Sequence, residues 1–203
     1  MKVLVACEFS QVVTLAFRAK GHEAYSCDLL PCEGGHPEWH FQEDIFAVLS
    51  REKFDLGIFH PPCTHLAVSG AAWFARKREN GKQAEGIALF MAFANCNIPR
   101  YCIENPVGIM SREWRTPDQI IQPYYFGDEF QKTTCLWLKN LPKLVHVKED
   151  GLFAQATHVG RGEMVKFASG KVMPKWYAET RGDGHARSVT FPGIANAMAT
   201  QWG

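Results

Sequence analysis

Two short stretches of this chain carry residue types that could do covalent chemistry. The first is His60-Pro61-Pro62-Cys63-Thr64, which follows the apolar run 54–59. Two prolines fix the backbone just ahead of a thiol and aim it in a defined direction, as a nucleophile requires. The second is Glu104-Asn105-Pro106, again placed after an apolar run, 101–103. Singly, each has a plain account: a Pro-Pro turn before a buried cysteine, and a carboxylate at a strand end that caps or pairs. Together they suit one reaction. A thiolate that adds to an electron-poor ring makes the neighbouring carbon enamine-like. An acid hydrogen-bonded to the ring nitrogen then stabilises the negative charge so created. Carbon 5 of cytosine, activated through carbon 6 and N3, is the ring position that fits.

Both stretches need a rigid frame, and the first half of the chain alternates strand and helix patterns. Val3-Leu4-Val5-Ala6-Cys7 reads as a strand buried on both faces. Val12, Leu15, Ala16 and Ala19 then share one helical face, and Lys20-Gly21-His22 stops the helix. Residues 24–27 form a second strand ending at Asp28, and 45–49 a short helical turn. A strand over 54–59 is broken by Pro61-Pro62. Residues 83–95 are helical, with Ile87, Ala88, Met91 and Ala94 aligned, and 101–103 is a strand that ends at Glu104-Asn105-Pro106. This alternation predicts an α/β, Rossmann-like fold with a mostly parallel sheet and helices on both faces. Ligands of such sheets gather at the carboxyl ends of strands. Phe9, Asp28, Cys63 and Glu104 all fall at or just beyond those ends. Farther along, 134–138 reads as one more strand, 139–187 as irregular chain rich in Gly, Lys and Arg, and 194–201 as a closing helix.

In motif order the chain resembles the DNA (cytosine-5) methyltransferases, particularly the short versions carried by bacterial viruses and prophages. Pro61-Pro62-Cys63 followed by Ser69-Gly70 is similar to the family's nucleophile motif, and Glu104-Asn105-Pro106 to its Glu-Asn-Val or Glu-Asn-Pro motif. Similarity continues through Phe126-Gly127, Lys132-Thr133-Thr134-Cys135-Leu136-Trp137 and Pro192-Gly193-Ile194-Ala195. The resemblance implies Cys63 as nucleophile and Glu104 as its partner at N3. Lys132 and Thr134 stand where the family has an Arg-x-Arg pattern near the target base, and Asn105 and Pro106 are implied beside that base. S-adenosylmethionine is the implied cofactor, held by Phe9, Ser10, Asp28, Leu29, Asp44, Ile45, Pro61 and Pro62. Phe9 would stack on the adenine, Asp28 bind the ribose hydroxyls as in Rossmann-like sites, and Asp44 meet the adenine amino group. Residues 1–138 then form the catalytic and cofactor-binding core, and 139–187 a small basic recognition segment that sets Lys166 and Lys171 on DNA. Residues 188–203 form a helix returning to the core. Two departures stand out. Gln11 and Val13 occupy places where the family keeps glycines that let backbone approach the methionine part of the cofactor. The large target-recognition domain of full-length members is reduced to 139–187, so recognition should be brief or loose.

Composition is compatible with this reading. At 203 residues the chain has the size of one domain able to bury its own core. With 46% hydrophobic and 21% charged residues, it is not a disordered chain. No apolar run approaches the roughly 20 residues that span a membrane. Met1-Lys2-Val3-Leu4-Val5-Ala6, interrupted at once by Cys7-Glu8, does not read as a signal peptide. Seven scattered cysteines point to reduced thiols and an expected cytoplasmic location. The net charge of +1 gives no global signature of nucleic-acid binding. Locally, 139–187 carries nine Lys+Arg against five Asp+Glu, whereas the residues before it carry 13 and 16. That basic segment could face phosphates or be a solvated loop.

Weaker signals remain. Cys27, Cys32, His36 and His40 have the C-x4-C-x3-H-x3-H spacing of a zinc site, but Asp28 is wanted at the strand end beside Cys27 and no metal is expected. His60 and His65 flank Cys63 and are candidates to lower its pKa. Trp176 and Tyr177 could stack on an unpaired base, with core packing the plainer reading. Three functions compete. The first is methylation of cytosine in duplex DNA, with the base flipped out of the stack. The second is the same chemistry on a free cytosine nucleotide or single-stranded nucleic acid, motivated by the small recognition segment. The third is a catalytically poor nucleic-acid-binding relative, motivated by the missing glycines. An intact Cys63 and Glu104 favour catalysis.

Overall fold

The computed structural model describes residues 1–146 and 158–203. Strand β1 (Lys2–Ala6) sends Val3 and Val5 to one face and Leu4 and Ala6 to the other, and all four are fully buried. A strand apolar on both faces belongs in the middle of a sheet. Helix α1 (Val12–Ala19) returns the chain to β2 (Glu23–Asp28), parallel to β1, and β3 (His40–Gln42) continues parallel beyond it. On the opposite side of β1 lie β4 (Leu56–Phe59), reached through α2 (Ile45–Arg51), and β5 (Arg100–Pro106), reached through α3 (Phe74–Glu79) and α4 (Lys82–Ala94). Helix α5 (Met110–Glu113) and strand β6 (Gln119–Ile121) follow. Then β7 (Thr134–Lys139) inserts antiparallel between β5 and β6. The seven-stranded order is β3-β2-β1-β4-β5-β7-β6, a mostly parallel, Rossmann-like sheet.

Two apolar layers clamp the sheet. On the Val3/Val5 face, Val13 and Phe17 of α1 pack with Ile194, Met198 and Trp202 of the last helix. On the Leu4/Ala6 face, Val48 of α2 and Phe90 and Phe93 of α4 pack with Phe59 and Trp137. Phe59 and Phe93 stack with centroids 4.6 Å apart. Each such fully buried side chain stabilises the fold by roughly 1.5–3 kcal/mol.

Two expectations need correction. Strand β5 does not stop at Ile103. It runs on to Pro106 because β7 lies alongside and pairs Glu104 with Leu136, Asn105 with Cys135 and Pro106 with Thr134. Nor is 139–187 simply irregular, although 147–157 lie outside the described residues. It contains the hairpin β8 (Met164–Lys166) and β9 (Val172–Pro174), then α6 (Lys175–Glu179) and α7 (Gly184–Ser188). The hairpin closes through a turn in which Gly170 takes a φ of 80° that favours glycine. The closing helix α8 begins at Pro192, whose missing N–H costs nothing in the first turn, and reaches Trp202. Among the described residues no helix is long and apolar enough to cross a membrane. All seven cysteines are free.

Candidate active site

Strand order reverses at β1, so the loops after β1 and β4 border the crevice where open α/β sheets take ligands. Beyond β4, the His60 amide donates to the Ala6 carbonyl at 3.0 Å and holds the loop beside β1. Pro61 is buried, and its carbonyl accepts Nδ2 of Asn105 at 2.7 Å. Farther out, Ala67 bridges Gly108, the Val68 amide donates to the Val107 carbonyl, and the Ile109 amide donates to the Leu66 carbonyl. The loop carrying Cys63 is therefore stitched at two levels to the segment carrying Glu104, and two motifs distant in sequence become one rigid site.

Cys63 is partly buried. Burial above all, and then the Glu104 charge, push its thiol up, while the cations of Lys132 and Arg187 pull it back. Cys7 and Cys27 are pushed up to about 12, chiefly by burial. The Glu104 side chain is only 14% exposed, and its Oε2 lies 3.2 Å from Nδ1 of His60, itself 8% exposed. Burial works to raise the Glu104 carboxyl. The His60 hydrogen bond and the Lys132 charge outweigh it and hold the group below its ordinary value. Expected to act on Cys63, His60 instead pairs with Glu104.

Lys132 donates Nζ to the Arg187 carbonyl at 3.0 Å, and the buried Thr134 hydroxyl donates to the Lys132 carbonyl at 3.1 Å. Thr134 thus supports the backbone of Lys132. Pro106, partly buried, ends β5 beside it. Arg187 is a site residue that sequence reasoning missed. Its only signal was its place just ahead of Pro192-Gly193-Ile194.

The expected cofactor residues lie at the ends of β1, β2 and β4 and at the start of α2. Phe9 is buried, and its ring stacks on His185 of α7, whose Nε2 lies 2.8 Å from Oε1 of Glu33. Ser10 is partly buried beside it. Glu8 accepts the Val13 and Thr14 amides at 2.6 and 3.2 Å and the Thr14 hydroxyl at 2.7 Å, so two of the four free donors in the first turn of α1 are already engaged. Burial pushes the Glu8 carboxyl up, against the pull of His60 and these donors. Gln11 takes a left-handed φ of 58°, at a cost of about 1–2 kcal/mol for a non-glycine residue. Its amide offsets that cost by bonding Ser26 Oγ at 3.1 Å and the His36 carbonyl at 2.8 Å. Glycine takes such a backbone without strain, whereas the glutamine is held in it by its side-chain bonds. Val13 is already helical and buried. Asp28 closes β2 and accepts the Leu30 amide, while Leu29 beside it is 72% exposed. Asp44 caps α2 by accepting the Phe46 amide at 2.7 Å, and Ile45 is buried beneath.

Three of the four zinc candidates, Cys27, His36 and His40, have other partners. Cys27 faces the Glu43 carbonyl, His40 lies between Ser26 Oγ and the Leu30 carbonyl, and His36 stacks on Trp39 and pairs with Glu38. Among the described residues no cluster of three or more such side chains is disposed to hold a metal. Trp176 packs edge-on against Phe130 and Phe191, and the Tyr177 hydroxyl accepts from Arg187. Lys166 and Lys171 are exposed on the β8–β9 hairpin. A second basic surface went unforeseen: Arg76, Lys77 and Arg78 on α3, directly after the Cys63 loop, where Arg78 and Arg112 border a groove with Val68, Phe74 and Ile109. Its signal, Arg-Lys-Arg, was diluted by the acidic balance of residues 1–138.

No protein-family model matches the chain, and no curated protein matches it by sequence. Solved structures do. A prophage-encoded E. coli protein described as a DNA modification methyltransferase aligns over 68% of this chain and 46% of its own, at 16% identity and a TM-score of 0.42. An rRNA methylase from Escherichia coli (16%, TM-score 0.39) and the 16S rRNA methylase RmtB (15%, TM-score 0.37) each align over 68% of this chain, and over 56% and 54% of their own. The chain spans about half the length of the solved structures it matches.

Proposed function

We propose that this chain methylates carbon 5 of cytosine in DNA, with Cys63 as the covalent nucleophile and S-adenosylmethionine as cofactor. One observation carries the reading: the Cys63 loop and the Glu104 segment, at neighbouring strand ends beside the switch point, are joined through Asn105 and Pro61 and share the charge of Lys132. The Cys63 thiolate adds to carbon 6 of the ring. Lys132 and Arg187 favour that thiolate against burial and against the Glu104 charge. An ionised Glu104 at the ring edge accepts a hydrogen bond from the exocyclic amino group. It thereby selects cytosine over thymine, which presents a carbonyl there. Carbons 5 and 6 are hidden inside a base stack, so a partly buried Cys63 requires a base turned out of the duplex.

The chain's residues fit the cofactor. Asp28 places a carboxylate at the end of β2, as ribose hydroxyls require, and the exposed Leu29 and Phe46 offer apolar cover for an adenine. Bound there, S-adenosylmethionine supplies an electrophilic methyl group. Tritium-labelled cofactor incubated with DNA, RNA and nucleotides tests the substrate, and DNA carrying 5-fluorocytosine tests the adduct. Label in DNA is expected, as is a covalent complex that the Cys63→Ser variant cannot form. Label confined to RNA or nucleotides, or an equally good trap with Cys63→Ser, would overturn the reading.

A further inference from the structure

We propose that His60 is the proton source for Glu104 during attack on the base, a positioning and relay residue whose role rests on the cytosine-5 reading above. A group that protonates N3 must hold a proton when Cys63 adds. Glu104 is held below the ordinary carboxylate range by the His60 hydrogen bond and the Lys132 charge, which together outweigh its burial. At neutral pH it is an anion, and an anion accepts rather than donates. His60 is its hydrogen-bonded titratable neighbour, with Nδ1 at 3.2 Å from Oε2 and both side chains almost wholly out of water. The other ring nitrogen, Nε2, is buried with no hydrogen-bond partner, so nothing on that side competes for the ring.

The groups facing this pair come from several elements. Glu8, in the loop after β1, acts on His60 through its charge, but its oxygens are engaged by Val13 and Thr14. Lys132, just ahead of β7, acts on Glu104, and Glu104 acts on Cys63 in the loop after β4.

The step balances. An electron pair of the Cys63 thiolate forms the sulfur–C6 bond. The C5=C6 π pair moves to join C4 and C5, and the C4=N3 π pair ends on N3. N3 takes a proton from the Glu104 carboxyl as His60 Nδ1 passes its own to Oε2. Glu104 finishes ionised as it began, and His60 finishes neutral. If the thiolate instead leaves before the methyl group is transferred, C5=C6 and C4=N3 reform and the N3 proton returns through Glu104 to His60.

The test is single-turnover methylation of duplex DNA across pH by the parent, His60→Asn, Glu104→Gln and the double variant, with thermal unfolding on each preparation. Asparagine can still hydrogen-bond Glu104 but has no proton to release. A slowing of roughly 10-fold or more is expected at neutral pH, within the range typical of general acid catalysis. The parent should lose rate on the alkaline side as the pair gives up its proton, whereas His60→Asn should only rise as the thiol ionises. The double variant should be no slower than Glu104→Gln alone, because both changes break one relay. A folded His60→Asn with the parental pH profile, or an effect that multiplies fully with Glu104→Gln, overturns the proposal. Should His60→Asn fail to fold, His60→Gln carries the same comparison. A parent that neither methylates DNA nor is trapped by 5-fluorocytosine would instead sink the cytosine-5 reading, and this proposal with it.

Discussion

The His185 imidazole lies flat on the Phe9 ring, with centroids 4.1 Å apart and planes within 19° of each other. Phe9 is otherwise buried, so His185 covers the ring face on which an adenine would stack. The contact is fastened by the His185–Glu33 pair, and the Glu33 amide itself donates to the Phe9 carbonyl. If Phe9 takes the adenine, the adenine must displace His185, and the stack it breaks is worth about 0.5–1.5 kcal/mol. Replacing His185 by Ala should tighten binding of S-adenosylhomocysteine by roughly threefold to tenfold in calorimetry. Unchanged or weaker binding would mean that His185 moves at no cost, or serves as a second wall of the site.

The charges around Cys63 make a prediction in which two variants move in opposite directions. Burial and Glu104 push the thiol up, and Lys132 helps to bring it down. Loss of the cation in Lys132→Met leaves the thiolate less stabilised, so alkylation of Cys63 by iodoacetamide should need a higher pH than in the parent. Glu104→Gln removes an anion, so the thiol should ionise at lower pH and alkylate faster. Methylation should nevertheless slow in Glu104→Gln, because the base loses its partner. Alkylation profiles that fail to separate in these directions would detach Cys63 from both neighbours.

Asp44 has a structural task that must be separated from any cofactor contact. Its side chain caps α2, and replacing such a cap by Ala costs about 1 kcal/mol. Serine keeps the cap but lacks the charge. Asp44→Ala should lower both the melting temperature and cofactor affinity, whereas Asp44→Ser should lower affinity alone. Asp28→Asn should behave like Asp44→Ser. Parental affinity in Asp44→Ser would leave Asp44 as a helix cap only.

Much of this was legible in the sequence because it depends on local pattern. The two-faced burial of β1, the helical face of α1 and the strand ends at Asp28 and Phe59 follow from residue order alone. What escaped depends on contacts between distant segments. The extension of β5 past Ile103 needs β7 beside it. Pairing of His60 with Glu104 needs β4 and β5 to be neighbours, and the His185–Phe9 stack joins opposite ends of the chain. Gln11 shows a different limit. Its identity gave no sign of the left-handed backbone it takes, which is held by bonds to Ser26 and His36 from across the fold.

The last prediction concerns where nucleic-acid phosphates lie. The β8–β9 hairpin offers Lys166 and Lys171, and α3 offers Arg76 and Arg78; all four residues are exposed. Helix α3 follows the Cys63 loop directly and is tied to it by Lys77, whose ammonium donates to the Thr64 carbonyl. A strand whose base reaches Cys63 must pass close to that loop, which places phosphates within reach of α3. Removing one cation from a phosphate should flatten the dependence of log affinity on log salt by about one unit. The pair Arg76→Glu and Arg78→Glu should therefore weaken DNA binding and flatten the slope by about two units, as should Lys166→Glu with Lys171→Glu. If both surfaces hold one duplex, the fourfold variant should flatten it by about four units, because well-separated charges act additively. A pair that leaves affinity and slope unchanged removes its surface from the interface. Melting temperatures should stay near parental throughout, since none of these four side chains is part of the core. A flattened slope that comes with unfolded protein would count against both surfaces.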